Sequence, residues 1–367
     1  MLPETTNWSL LPDGFPRNVP ITSELMKDYQ VLTGGVWLGG SDLYYAVYAT
    51  LALIFIRLLV ERFIAKPLAR LGGISDVKRT PPVANEMLDQ AYKSSRKCPK
   101  DGKQLAVLVK SSGMKSEREV QRWYRRKQNE HMPTKMVKFQ EGFWRGLFYT
   151  AACIYGVWAL KDELYLNDTS HAWIGYPFHT LTSKVQWYYF IKLGFYASLS
   201  ITGMLFDVKR KDFWEMQLHH FTTALLMTFS YTSGMHRIGA LILLVHDVSD
   251  IFLEYAKGTN YIWEGSAATS IFFAVFAVMF LICRLVVYPA YMIKQTLVHS
   301  EQDFCHRSWY SLDFMGVLLS ILLCLHVFWM YLITNILIKA VTGGAIQDSR
   351  EEADSEEDGG VEDKKGK

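Results

Sequence analysis

Residues 219–257 read HHFTTALLMTFSYTSGMHRIGALILLVHDVSDIFLEYAK, two apolar runs joined by the short Thr232 to His236 turn. Each run approaches the length of a bilayer-crossing helix, yet each carries ionisable side chains inside it. Such groups cost from about 2.5 kcal/mol upward at membrane depth, which makes them functional candidates by default. Helical spacing gathers them. His246 and Asp250 are four residues apart, Asp247 and Asp250 three, and Asp250 and Glu254 four, so the side chains share one polar stripe. The stripe is expected to face His219 and His220 across a tight helical hairpin. Thr222, Thr223, Ser230 and Tyr231 add hydrogen-bonding capacity on the partner helix, and Lys257 follows the stripe.

The rest of the chain has the composition of a membrane protein: 50% hydrophobic and 14% aromatic over 367 residues. Apolar stretches near the roughly 20 residues needed to span a bilayer begin at Leu43, Gly142, Gln186, Gln217, Ile238, Ser266 and Tyr310. The expected fold class is therefore all-α, a polytopic membrane protein of about seven transmembrane helices. Leu43 to Val60, interrupted by Arg57, follows some forty mostly polar residues and reads as an uncleaved signal anchor. The net charge of +3 hides an asymmetry, because residues 61–141 hold 19 Lys/Arg against 9 Asp/Glu. That segment is expected in the cytosol, as are Lys209, Arg210 and Lys211 between the third and fourth spans. Seven crossings then put the N-terminus in the lumen, with acceptor sequons at Asn7 and Asn167 on that side, and the C-terminus in the cytosol. Five cysteines, at 98, 153, 283, 305 and 324, are scattered and form no disulfide framework.

The expected partition is a lumenal segment 1–42, an anchor 43–60, a cytosolic segment 67–136, a transmembrane catalytic domain 137–338 and an acidic cytosolic tail 339–367. Within the cytosolic segment, Leu105, Val107, Leu108 and Val109 precede a Ser111-Ser112-Gly113 break. Ser116 and Glu119 then form a capping box, with Val120 and Trp123 as the buried stripe of the next helix. This small helix-turn-helix-like unit, ending in Trp123-Tyr124-Arg125-Arg126-Lys127, resembles part of a homeodomain. Arg126 stands where that family's base-reading Asn would be, and the N-terminal arm is missing, so no specific DNA binding is expected. A solvated basic helix packing on itself or facing anionic headgroups is the alternative use of the same residues. In the tail, Ser349 and Ser355 precede acidic residues as candidate phosphorylation sites. Lys364-Lys365-Gly366-Lys367 is similar to a dilysine retrieval signal, implying residence in the endoplasmic reticulum.

Three chemical readings of the hairpin are open. His and Asp can pair to hold helices together. They can ligate zinc or iron, although the repeated HxxxH and HxxHH boxes of membrane di-iron oxygenases are absent, so no metal is expected. The preferred reading is acid–base or nucleophilic catalysis, in which a His of ordinary pKa about 6.5 takes and returns a proton and an Asp fixes its orientation.

Residues 219–257 resemble the Lag motif of ceramide synthases within the TLC domain. Residues Val137 to Ile338 are similar to that domain, and the truncated homeodomain-like segment matches the animal branch; Ser233-Gly234 departs from relatives that carry Asn in the turn. The resemblance implies N-acylation of a sphingoid base by a fatty acyl-CoA, with acyl-CoA as co-substrate and no bound cofactor. His219 is then the expected base or nucleophile, with His220 assisting and Asp250 and Asp247 orienting it; His246 and Glu254 are supporting candidates. Lys209, Arg210 and Lys211 are candidate contacts for the CoA phosphates, or ordinary topology anchors. The connection Pro289 to Ser308 is a candidate influence on acyl-chain length. Expected partners are a sphingoid base, fatty acyl-CoA and membrane lipid, with a homo- or hetero-dimer as the expected kind of assembly. Two other readings use the same features: a non-enzymatic TLC-type protein that binds or transports lipid, and a membrane-tethered DNA-binding regulator.

Overall fold

The computed structural model describes residues 40–76, 81–96, 98–99, 101–130, 133–173, 181–294 and 309–342. All regular structure among them is helical, as the composition and periodicity require. Asn7, Cys305, Ser349, Ser355, the terminal lysines and most of the Pro289 to Ser308 connection lie outside the described residues.

Helix α1 (Tyr44–Val60) continues through a π-helical turn (Glu61–Ala65) into α2 (Lys66–Leu71). Arg57, which interrupts the first apolar run, does not end the helix because its guanidinium is satisfied. It pairs with Glu61 at 2.6 Å and Asp207 at 2.6 Å, and donates to Thr202 at 2.8 Å. Three shorter helices follow, α3 (Glu86–Ser94), α4 (Gly102–Ser112) and α5 (Glu117–Asn129), capped by Asn85, Asp101 and Ser116 as short polar side chains cap free N–H groups elsewhere. Glu119 reaches back to the Lys115 N–H at 2.8 Å. Leu88, Leu105, Val120, Trp123 and Tyr124 form the core of this unit. Val107 is 66% exposed, because successive helical residues turn by about 100° and the run 105–109 cannot all face one way.

The remaining helices are α6 (Lys135–Leu160), α7 (Ser183–Leu205), α8 (Phe213–Thr232), α9 (His236–Ile262), α10 (Ala267–Phe280, continuing as a π-helical stretch Leu281–Ile293) and α11 (Trp309–Val341). Each expected apolar start falls inside, or at the head of, one of the long helices. Ala267–Ile293 and Phe314–Ala340 are long and apolar enough to cross a membrane by length and composition alone. Pro289 sits in the π-helical stretch, where the wider turn accommodates a residue with no N–H to donate.

Packing closes α6, α9, α10, α11, α8 and α7, in that spatial order, into a ring, and α1 lies outside against α7. Gly194 permits the α1–α7 approach: a Cβ there would stand 2.7 Å from the Ala49 Cβ and 2.9 Å from the Thr50 nitrogen. The α8–α9 turn is closed by Gly234 at φ 79°, a conformation that favours glycine. The short turn expected from the sequence is therefore present, and the two helices it joins stand on opposite sides of the ring.

Candidate active site

His219 and His220 lie about two turns into α8, roughly 10 Å along the axis from its start. Both are buried, and Tyr196 of α7 stands 6.2 Å from each ring. Trp329 of α11 meets His219 edge-on at 5.3 Å and is itself fixed by donating its indole N–H to Asp212 at 3.1 Å. Neither His219 Nδ1 nor His220 Nδ1 has a hydrogen-bond partner among the described residues.

The carboxylates of α9 do not act as one surface turned toward the histidines. Asp247 pairs with Lys192 of α7, both side chains being fully buried, and accepts from Tyr188 at 3.3 Å. Asp250 takes a forked contact from Arg284 of α10 at 2.7 and 2.6 Å, and Arg284 also donates to Ser249 and to the His246 carbonyl. Glu254 pairs with Arg145 of α6 at 3.1 Å. None of the hydrogen bonds of Asp247 or Asp250 goes to His219 or His220. The reason is geometric: positions 246, 247, 250 and 254 span an arc of about 100° on an ideal helix, and α9 has a different neighbour on each part of that arc. The expected single stripe is thus a fan that ties α9 to α7, α10 and α6.

His246 alone of the fan turns inward, lining a narrow cavity together with His219. From these imidazoles the cavity runs between α8, α9 and α11 past Leu226, Ile242 and Leu319 to Ser230 and Met235. His219 and Ser230 are eleven residues apart on α8, about 16 Å by helical rise. The shape is that of a polar head on an apolar slot. Among the described residues, no group of three or more His, Cys, Asp or Glu is arranged to hold a metal ion.

Of the three candidate phosphate contacts, Lys209 and Lys211 are exposed and Arg210 turns inward, 3.9 Å from Glu141. Their loop is held by Arg57 through Asp207, and by the Val208 N–H donating to Glu141 at 2.8 Å. Sequence reasoning missed Lys192, Arg284, Arg145 and His326. The signal was there, since each is a lone polar residue in an apolar helix, but nothing in the sequence names its partner.

Comparison with known proteins matches residues 138–335 to the family model of the TLC domain. Human ceramide synthase 4 is 37% identical over 329 residues, covering 89% of this chain and 82% of that protein. Human ceramide synthase 5 is 38% identical over 305 residues, 83% of this chain and 76% of that one. For human ceramide synthase 3 the identity is 34% over 354 residues, 95% and 85% of the two chains.

Proposed function

Because this chain belongs to the ceramide synthases, TLC-domain membrane acyltransferases of sphingolipid biosynthesis, we propose that it transfers a fatty acyl group from acyl-CoA to the amine of a sphingoid base. The products are (dihydro)ceramide and free CoA. The observation that carries this reading is an imidazole, His219, at the head of a long apolar slot: a fatty chain in the slot would leave its thioester beside the histidine.

A sphingoid amine resembles Lys, with an ordinary pKa near 10.4, so at neutral pH it arrives as an ammonium and must lose a proton before it attacks. His219 is the proposed base, or the nucleophile that carries the acyl group as an acyl-imidazole; His220 and Tyr196 flank it. As the thioester carbon becomes tetrahedral, negative charge gathers on its oxygen, which a nearby donor must stabilise. His220 is the proposed donor. Asp247 and Asp250 support the site at one remove by holding α9 against α7 and α10 through Lys192 and Arg284. Glu254 does the same toward α6. The CoA phosphates are assigned to Lys209, Arg210 and Lys211, which precede α8.

The proposed setting is the endoplasmic reticulum membrane, crossed seven times, with Asn7 lumenal and the acidic tail cytosolic. The cytosolic unit 67–136 and the choice between a homo- and a hetero-dimer belong to the same reading.

Membranes containing the full chain, a sphingoid base and acyl-CoAs of graded length should form amide, and His219→Ala should abolish it. Near-normal amide formation by His219→Ala would refute the assignment. Incubation with acyl-CoA alone separates the two routes, because only the nucleophilic one leaves acyl groups on the protein.

A further inference from the structure

His326 of α11 is fully buried, yet neither of its ring nitrogens has a hydrogen-bond partner among the described residues. Its ring lies 5.0 Å from that of His246 and 6.3 Å from that of His219, so it neighbours both imidazoles that line the cavity. Tyr288 and Phe280 of α10 meet it edge-on at 5.4 and 6.0 Å. A buried imidazole used only as packing leaves its desolvation uncompensated, and an apolar ring would fill the same space at lower cost.

The tautomer of His246 gives this row a direction. His246 Nδ1 is 2.7 Å from the Ile242 carbonyl oxygen. A carbonyl only accepts, so Nδ1 holds the proton and the ring's lone pair is on Nε2. That Nε2 is buried and has no partner among the described residues. His326 is therefore beside one imidazole whose accepting atom is fixed and another, His219, at the head of the slot.

We propose that His326 is a proton relay of the site, a positioning residue that holds a proton only in passing and acts through His219 and His246 rather than touching substrate. This rests on the acyl-transfer reading, in which one net proton has to leave the site. The nitrogen enters as R–NH3+ and leaves as an amide bearing one hydrogen. As the C–N bond forms and the C–S bond breaks, two protons depart from nitrogen; the leaving thiolate takes one to become CoA–SH, and the other leaves the site. One cavity-facing imidazole carries only one proton at a time. A proton received by His219 or His246 and passed to His326, directly or through one water, frees that imidazole to handle the second.

The test is kinetic and uses the full-length protein in membranes. His326→Phe keeps a ring in the cage, and should accumulate normally with unchanged KM for both substrates and roughly a 100-fold lower kcat. The deficit should shrink as pH rises, because an amine that arrives already neutral has one proton left to lose. The other groups facing His326 that bear on this profile are His219 from α8, His246 from α9, and Tyr288 and the Asp250-paired Arg284 from α10; α11 itself contributes the non-titrating Trp329. Added imidazole should restore His326→Ala, whereas pyrrole, which has no accepting nitrogen, should not. If His326→Phe fails to accumulate, His326→Gln serves for the same pH comparison. A kcat within about twofold of the parent protein, a pH-independent deficit, or equal rescue by pyrrole would each overturn the proposal. Absence of amide formation by the unmodified protein would instead remove the acyl-transfer reading beneath it.

Discussion

Arg284 and Asp250 stand or fall together. Their side chains are 5% and 15% exposed and meet at 2.6 Å, so removing either leaves a buried charge alone. Arg284→Met should lower stability by about 3–5 kcal/mol, while Arg284→Met combined with Asp250→Leu should recover much of it, because an apolar pair replaces an ion pair at little net cost. Thermal inactivation in mild detergent measures the first effect; acyl transfer, expected to stay low in the double variant, measures the second. At this scale the sequence is eloquent about which residues are costly to bury and silent about their partners. His219, His246 and Asp250 stand out because polar groups in apolar helices are costly. Asp250 and Arg284, 34 residues apart, and Asp247 and Lys192, 55 apart, meet only through the order of helices in the ring. A carboxylate four residues from a histidine suggests a local pair, and here the distant cation wins because an opposite full charge offsets the desolvation of Asp250 better than a neutral imidazole can.

Between elements, α1 lies close against α7 at Gly194. Gly194→Val would push side-chain atoms into the α1 backbone at Ala49 and Thr50; an overpacking cost of about 1–3 kcal/mol is expected. A cysteine pair across that contact should lose its crosslinking efficiency in the Gly194→Val background. Helix α4 offers a contrast within one element. Leu105 is 3% exposed and Val107 66%, so Leu105→Ala should cost about 2–5 kcal/mol and Val107→Gln less than about 0.5 kcal/mol, read as protease sensitivity of residues 81–130. Caps and breaks were legible here, since Ser116, Glu119 and Gly113 act through neighbours in sequence. Burial within the run 105–109 was not, because four apolar residues on a helix point in several directions and only the packed core chooses among them.

For the whole molecule, the all-helical class and the α8–α9 turn followed from hydropathy and spacing, whereas the ring order did not. Nothing in the chain announces that α9 sits between α6 and α10, or that α1 reaches past α7 to the loop before α8. Arg57 makes that reach, bonding Asp207 and Thr202. If the loop's cations hold CoA phosphates, Arg57→Ala should raise the KM for acyl-CoA severalfold and change kcat little, a split that steady-state kinetics resolves. The pairing of α9 also bears on how the protein is made. Lys192 is synthesised before Asp247, but Arg284 follows Asp250, so the ribosome delivers α9 to the membrane with one acid already matched and one still waiting. Insertion therefore has to hold α9 until α10 emerges, and release the two to lipid as a pair.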